Sequence, residues 1–203
     1  MSANVSPHSN VGEAPSFSLS DVVTACKHFR LNTALGSDNV SPYFLRYGGD
    51  SLHAALFLLF SICSRHGLMP SSFRHGHVMT LYKGDGEVND PNNYRPISIT
   101  SVVARVYERV HVPALISNMT RANMPSPSQF GFTRKRNTHD AVFRFLSTLV
   151  DTLDEGRGSP LYVPGVFVDI SKAYDKVWIE GLLYKLHKMG ITGNLLFPTC
   201  SPH

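Results

Sequence analysis

Two aspartates and a tyrosine stand close together in "FVDISKAYDKVW" (167–178), directly after the apolar run "LYVPGVFV". Asp169 ends the apolar run, and Tyr174 and Asp175 follow five and six residues later. A carboxylate at the end of a buried strand can face a cleft while the strand itself stays in the core. Hard cations such as Mg²⁺ favour oxygen ligands and commonly take one or two carboxylates together with substrate phosphates. Paired ions of this kind can clamp the attacking and leaving oxygens of a phosphoryl transfer. Tyr174 would then lie where a ring could close over a bound sugar. The same residues also suit a plain structural role, with Asp169 and Asp175 capping the turn and the next helix and Tyr174 in the core. On these residues alone both readings stand.

The elements that must position such a site follow from periodicity and punctuation. Residues 1–16 are small and polar and predict a loose tail. Ser18 with Asp21 predicts a capped helix running to about Arg30. Ser41 and Pro42 are an N-cap and a first helical position. The stretch 51–66, containing "LHAALFLLFSIC", predicts a core helix, too short in its apolar run to span a bilayer. Residues 77–82 predict a strand, followed by a turn at Gly84 and Gly86 and an extended return through Arg95. A helix over 100–111 should stop before Pro113, with a second short helix reaching Arg121. Apolar residues at helical spacing from Thr138 (Ala141, Val142, Phe145, Leu149, Leu153) predict another helix. A strand over 161–169 and a helix from about Ile179 to Gly190 close the pattern. Helices with two or three strands give an α+β chain.

Composition sets the outer bounds. In 203 residues, 42% are hydrophobic and 17% charged, which suits a folded chain. The net charge of +4 is compatible with a nucleic-acid surface but does not argue for one. Cys26, Cys63 and Cys200 are widely spaced and odd in number, so free thiols in a reducing, intracellular setting are expected rather than a disulfide framework. No basic start with an apolar run marks a signal peptide, and no membrane partner is expected. The histidines form no cluster with metal-ligand spacing, and His75 with His77 is too small a set for zinc.

"FVDISKAYDKVW" resembles the first palm motif of reverse transcriptases, particularly those of non-LTR (LINE-like) retrotransposons. The similarity continues in order through "NTALGSDNVSPYFLR" (32–46), "LYKGDGEVNDPNNYRPISI" (81–99) and "QFGFTRKRNTHDAV" (129–142), and spans about 17–195. The resemblance implies an incomplete right-hand polymerase fold, with a fingers-like region over 17–160 and a partial palm over 161–203. It implies that Asp169 and the backbone carbonyl of Ile170 are Mg²⁺ ligands, Asp169 being catalytic. It implies that Tyr174 is the steric gate against a 2′-hydroxyl, and that Lys83 and Arg95 hold the incoming dNTP. Both cations suit phosphate oxygens. Gln129, Gly131, Phe132 and Arg136 match a template-side block, and Asp175 is read as a structural cap. The family usually has Arg after the Gly-Phe pair and Gly before the later Arg, where this chain has Thr133 and Lys135.

The later palm carboxylates of that family have no counterpart here, since no Asp or Glu follows Glu180. The expectation is therefore a fragment of an RNA-directed DNA polymerase, with RNA template, DNA primer and dNTP as the implied partners, inactive alone. An inert nucleic-acid-binding remnant and one half of a split polymerase are the alternatives.

Overall fold

The computed structural model describes residues 16–155, 162–171 and 173–191. Most of the expected tail and the final "FPTCSPH" lie outside the described residues. The chain forms two compact units, 1–118 with 186–203, and 119–185.

The first unit is built on helices α1 (Leu19–Lys27), α2 (Pro42–Tyr47) and α3 (Gly49–His66). Ser18 begins α1 with a complete capping box: its hydroxyl accepts the Asp21 amide, and the Asp21 carboxylate accepts the Ser18 amide at 2.8 Å. Ser41 and Pro42 open α2 as expected, and Gly67, in the left-handed region at φ 63°, ends α3. The core is contiguous. Val22 and Cys26 of α1, Leu45 of α2, and Leu56, Phe60 and Cys63 of α3 pack with Phe73 of the short α4 (Ser71–Arg74). Val102, Ala104, Val106, Tyr107 and Val110 of α5 (Val102–Arg121) complete it.

Helix α5 departs from expectation. It runs on through Pro113 instead of breaking there. A proline inside a helix removes one backbone bond and costs about 3 kcal/mol. Each large apolar side chain buried returns about 1.5–3 kcal/mol, and six residues of the first half, from Val102 to His111, are buried. Burial wins over the local penalty.

Between α4 and α5 the chain forms an antiparallel hairpin of β1 (Gly76–Tyr82) and β2 (Tyr94–Thr100), with Gly76 opposite Thr100 and Tyr82 opposite Tyr94. Its strands are open to solvent on both faces over most of their length.

The second unit holds α6 (Thr138–Glu155), a 3₁₀ turn at Tyr174–Lys176 and most of α7 (Ile179–Lys188). Asn137 and Asp140 cap α6 reciprocally, each side chain accepting the other's amide at 3.0 Å. The apolar periodicity of α6 is as expected, yet none of its residues is buried. The strand expected over 161–169 is not formed: residues 162–170 have no regular secondary structure. A strand is defined by its ladder, and the single sheet among the described residues is the β1–β2 pair. Apolar content alone could not supply a partner. Among the described residues no helix is long and apolar enough to cross a membrane.

Candidate functional site

The hairpin tip is fixed by its own residues. Gly84 and Gly86 both adopt φ +84°, which lets an eleven-residue connection fold back within a narrow ribbon. A Cβ on Gly86 would also lie 2.4 Å from the Asn93 amide. Tyr94 donates its hydroxyl to the Val88 carbonyl at 2.9 Å, and Asn93 donates to the Glu87 carbonyl at 2.8 Å. Asp90 accepts the amide of Asn92 and so caps the 3₁₀ turn Pro91–Asn93.

Leu81 stands opposite Arg95 in the ladder, and the Lys83 amide continues it with a bond to the Asn93 carbonyl at 2.8 Å. Side chains alternate with a period of two. Lys83 and Arg95 therefore share one face, a diagonal step apart, with Met79, Leu81 and Ile97 behind them. Both cations are exposed. The Lys83 ammonium donates to the Asn92 carbonyl.

Asp169, Ile170 and Tyr174 belong to the second unit and are all exposed, Tyr174 at 86%. Tyr174 opens the 3₁₀ turn, and Lys176 donates to the Ser171 hydroxyl at 3.2 Å. The capping role expected of Asp175 is not seen. Ala173 occupies the N-cap of that turn without a side-chain bond, and Asp175 sits inside it.

The 129–136 block is a self-bonded loop. Arg136 donates to the carbonyls of Pro127 and Gln129 and lies over the Phe130 ring at 5.2 Å. Gln129 and Thr133 both donate to the Gly131 carbonyl, at 3.2 and 3.3 Å. Phe132 is fully exposed with φ +57°, and Lys135 has φ +61°. Lys135 thus holds, with a side chain, the left-handed conformation that glycine adopts freely. Phe130 shares the wall of a groove of about 590 Å³ with Phe145 and Leu149 of α6 and with Val163 and Phe167. Phe145 and Phe167 meet with ring centroids 6.1 Å apart. The groove thereby joins this loop to the segment leading into Asp169.

The family-implied Mg²⁺ does not fit the residues described. Asp169 offers one carboxylate, and no three His, Cys, Asp or Glu side chains gather into a possible metal site among the described residues. Mg²⁺ asks for near-octahedral oxygen coordination.

Residues 82–200 match the family described as reverse transcriptase (RNA-dependent DNA polymerase). The chain is 27% identical over 169 residues to the probable RNA-directed DNA polymerase from transposon BS of Drosophila melanogaster, covering 83% of this chain and 18% of that protein. It is 25% identical over 171 residues to the RNA-directed DNA polymerase from mobile element jockey of the same fly, with 84% and 18% covered. Against the putative 115 kDa protein in type-1 retrotransposable element R1DM, identity is 29% over 190 residues, with 88% and 18% covered. The chain spans under a fifth of the length of these relatives. The chain belongs to the reverse transcriptase (RNA-dependent DNA polymerase) family, and the relatives it is similar to are proteins of non-LTR retrotransposons.

Proposed function

We propose that this chain supplies the fingers and the first palm motif of a retrotransposon RNA-directed DNA polymerase, an incomplete right hand that grips a dNTP and does not polymerise by itself. The observation that carries this reading is the shared face of Lys83 and Arg95 at the end of an open hairpin. An ammonium and a guanidinium on one face suit the oxygens of a triphosphate, the guanidinium as a fixed fork and the ammonium as a point charge. Leu81 and Ile97, exposed beside them, give an apolar ledge. Tyr174 is assigned as the gate against the 2′-hydroxyl, and Gln129, Gly131 and Phe132 as template-side residues. Arg136 acts for that block by closing its loop. Template RNA and primer DNA are the corresponding partners.

Asp169 and the Ile170 carbonyl match the family's Mg²⁺ ligands by position only, because the described residues supply none of the further carboxylates such a site needs. Without them the phosphoryl-transfer step has no metal clamp. The expected result of primer extension on an RNA template with Mg²⁺ or Mn²⁺ is no product above background, for the chain and for Asp169→Ala alike. Extension by the chain that Asp169→Ala abolishes would overturn the inactive reading. Extension that appears only when a fragment carrying the family's later palm carboxylates is added supports a split enzyme.

A further inference from the structure

The hairpin bearing Lys83 and Arg95 is a cantilever. Every residue of β1 from Gly76 to Leu81 is exposed, so its faces give it little support. Its direction depends on its roots, and the root at Thr100 and Ser101, where β2 passes into α5, is densely tied. Ser101 is fully buried. Its hydroxyl donates to Asp38 Oδ2 at 2.5 Å and accepts the Ala104 amide at 3.2 Å, so one side chain caps α5 and receives an anchor from 63 residues earlier. Gly36 is buried against the same joint. A Cβ there would lie 2.6 Å from the Ser101 Cα and 2.6 Å from the Thr100 carbonyl oxygen, both main-chain atoms that cannot swing aside. Arg105, one turn into α5, donates to the Ala34 carbonyl at 2.6 Å and lies over the Phe29 ring at 5.7 Å. The "ALGSD" stretch is thus a strap across the hairpin's root.

The leverage is large. Seven residues at about 3.4 Å each make an arm of roughly 20 Å or more. A 10° change at the joint would move the tip by about 4 Å, whereas hydrogen bonds tolerate only a few tenths of an ångström. A misplacement of about 1 Å is already costly for a bound reactant.

We propose that Asp38, acting through Ser101 and backed by Gly36, is a positioning residue that sets the hairpin's angle and so keeps Lys83 and Arg95 where one triphosphate meets both. This rests on the reading of that pair as a triphosphate grip. Asp38 itself touches no substrate.

The test uses the full chain in a Cys200→Ser background, where Cys26 and Cys63 are buried. Nitroxides are attached through Ile62→Cys on the exposed side of α3 and Asp85→Cys in the hairpin turn. Pulsed dipolar spectroscopy then reads the distance between them, and tripolyphosphate affinity is measured on the unlabelled chain. Asp38→Ala is expected to shift or broaden the distance by about 3–4 Å, by the lever arithmetic above, and to weaken tripolyphosphate about tenfold or more with both cations intact. Asp38→Asn keeps an oxygen acceptor for Ser101 and should restore both readings. Gly36→Ala, and Ser101→Ala where Asp38→Ala does not fold, should repeat the Asp38→Ala pattern. A distance with the parent's mean and width in Asp38→Ala would overturn the proposal, as would a shifted or broadened distance with unchanged affinity. A parent chain that does not bind tripolyphosphate defeats the grip reading instead, and the distances alone then decide whether the joint sets the hairpin angle.

Discussion

Lys83 and Arg95 lie on one face of the β1–β2 hairpin, a diagonal step apart, because Leu81 is opposite Arg95 and the Lys83 amide bonds to the Asn93 carbonyl. Two cations so placed can act on one anion together. Lys83→Met and Arg95→Met should each weaken binding of a Mg²⁺-dNTP about tenfold, on the scale of a charge-assisted hydrogen bond. The double variant should lose less than the product of the two losses. Arg95→Lys should recover only part, because the guanidinium fork is not replaced by a point charge. Fluorescence titration with a labelled dNTP measures this, and strictly additive effects in the double variant would show that the two cations act without coupling.

Lys135 holds φ +61° in a loop closed by Arg136. An L-residue in this region costs about 1–2 kcal/mol, part of which glycine returns as chain entropy. Lys135→Gly should therefore stabilise the loop by about 0.5–1 kcal/mol. The Arg136 amide, bonded to the Thr133 carbonyl at 3.2 Å, should exchange its hydrogen more slowly by a few-fold. Lys135→Ala should give no such gain, since alanine keeps the Cβ.

His111 is buried between the Phe17 and Tyr107 rings, with centroids 5.1 and 4.7 Å away, and burial pushes its pKa down to about 4. Its ordinary value is 6.5. Between the two values the unfolded chain holds the extra proton, so stability is full above about pH 6.5 and falls as pH drops toward 4. The loss should reach about 2–3 kcal/mol at the lower end. Thermal melts across this range measure it, and His111→Phe should flatten the slope. Asp21 is held below its ordinary 3.8 by its bonds with Ser18, so its own effect comes at lower pH. An unchanged slope in His111→Phe would assign the pH dependence elsewhere.

Helix α6 exposes Val142, Phe143, Leu146 and Val150 among others. Phe143→Glu should leave the unfolding free energy within about 0.5 kcal/mol of the parent, as surface changes do. It should also raise the monomer fraction in sedimentation velocity. A drop of several degrees would mean that Phe143 is packed in solution.

Local chemistry explains which elements were legible. The Ser18–Asp21 box, Pro42 at the start of α2, Gly67 at the end of α3, and Gly84 with Gly86 in the hairpin turn are set by neighbours a few residues away. They follow from the sequence for that reason. The misreadings share the opposite cause. Whether α5 survives Pro113 depends on what its first half buries, and whether 161–169 becomes a strand depends on a partner elsewhere in the chain. Of the site, Lys83 and Arg95 on one hairpin was readable from the flanking turn. That Arg136 is spent on the carbonyls of Pro127 and Gln129 was not, because nothing in "RKR" separates a loop-closing arginine from a free one. The anchoring of Ser101 by Asp38, 63 residues apart, had no sequence signal at all.

The solvent-facing apolar side of α6 also bears on the chain's fate in a cell. Short apolar runs in the open are what holding chaperones and degradation machinery recognise. With Phe143, Leu146 and Val150 open to solvent, this chain presents to them, while folded, the kind of surface that other proteins show on unfolding. Half-life in a cell is then expected to follow this surface more than the melting point.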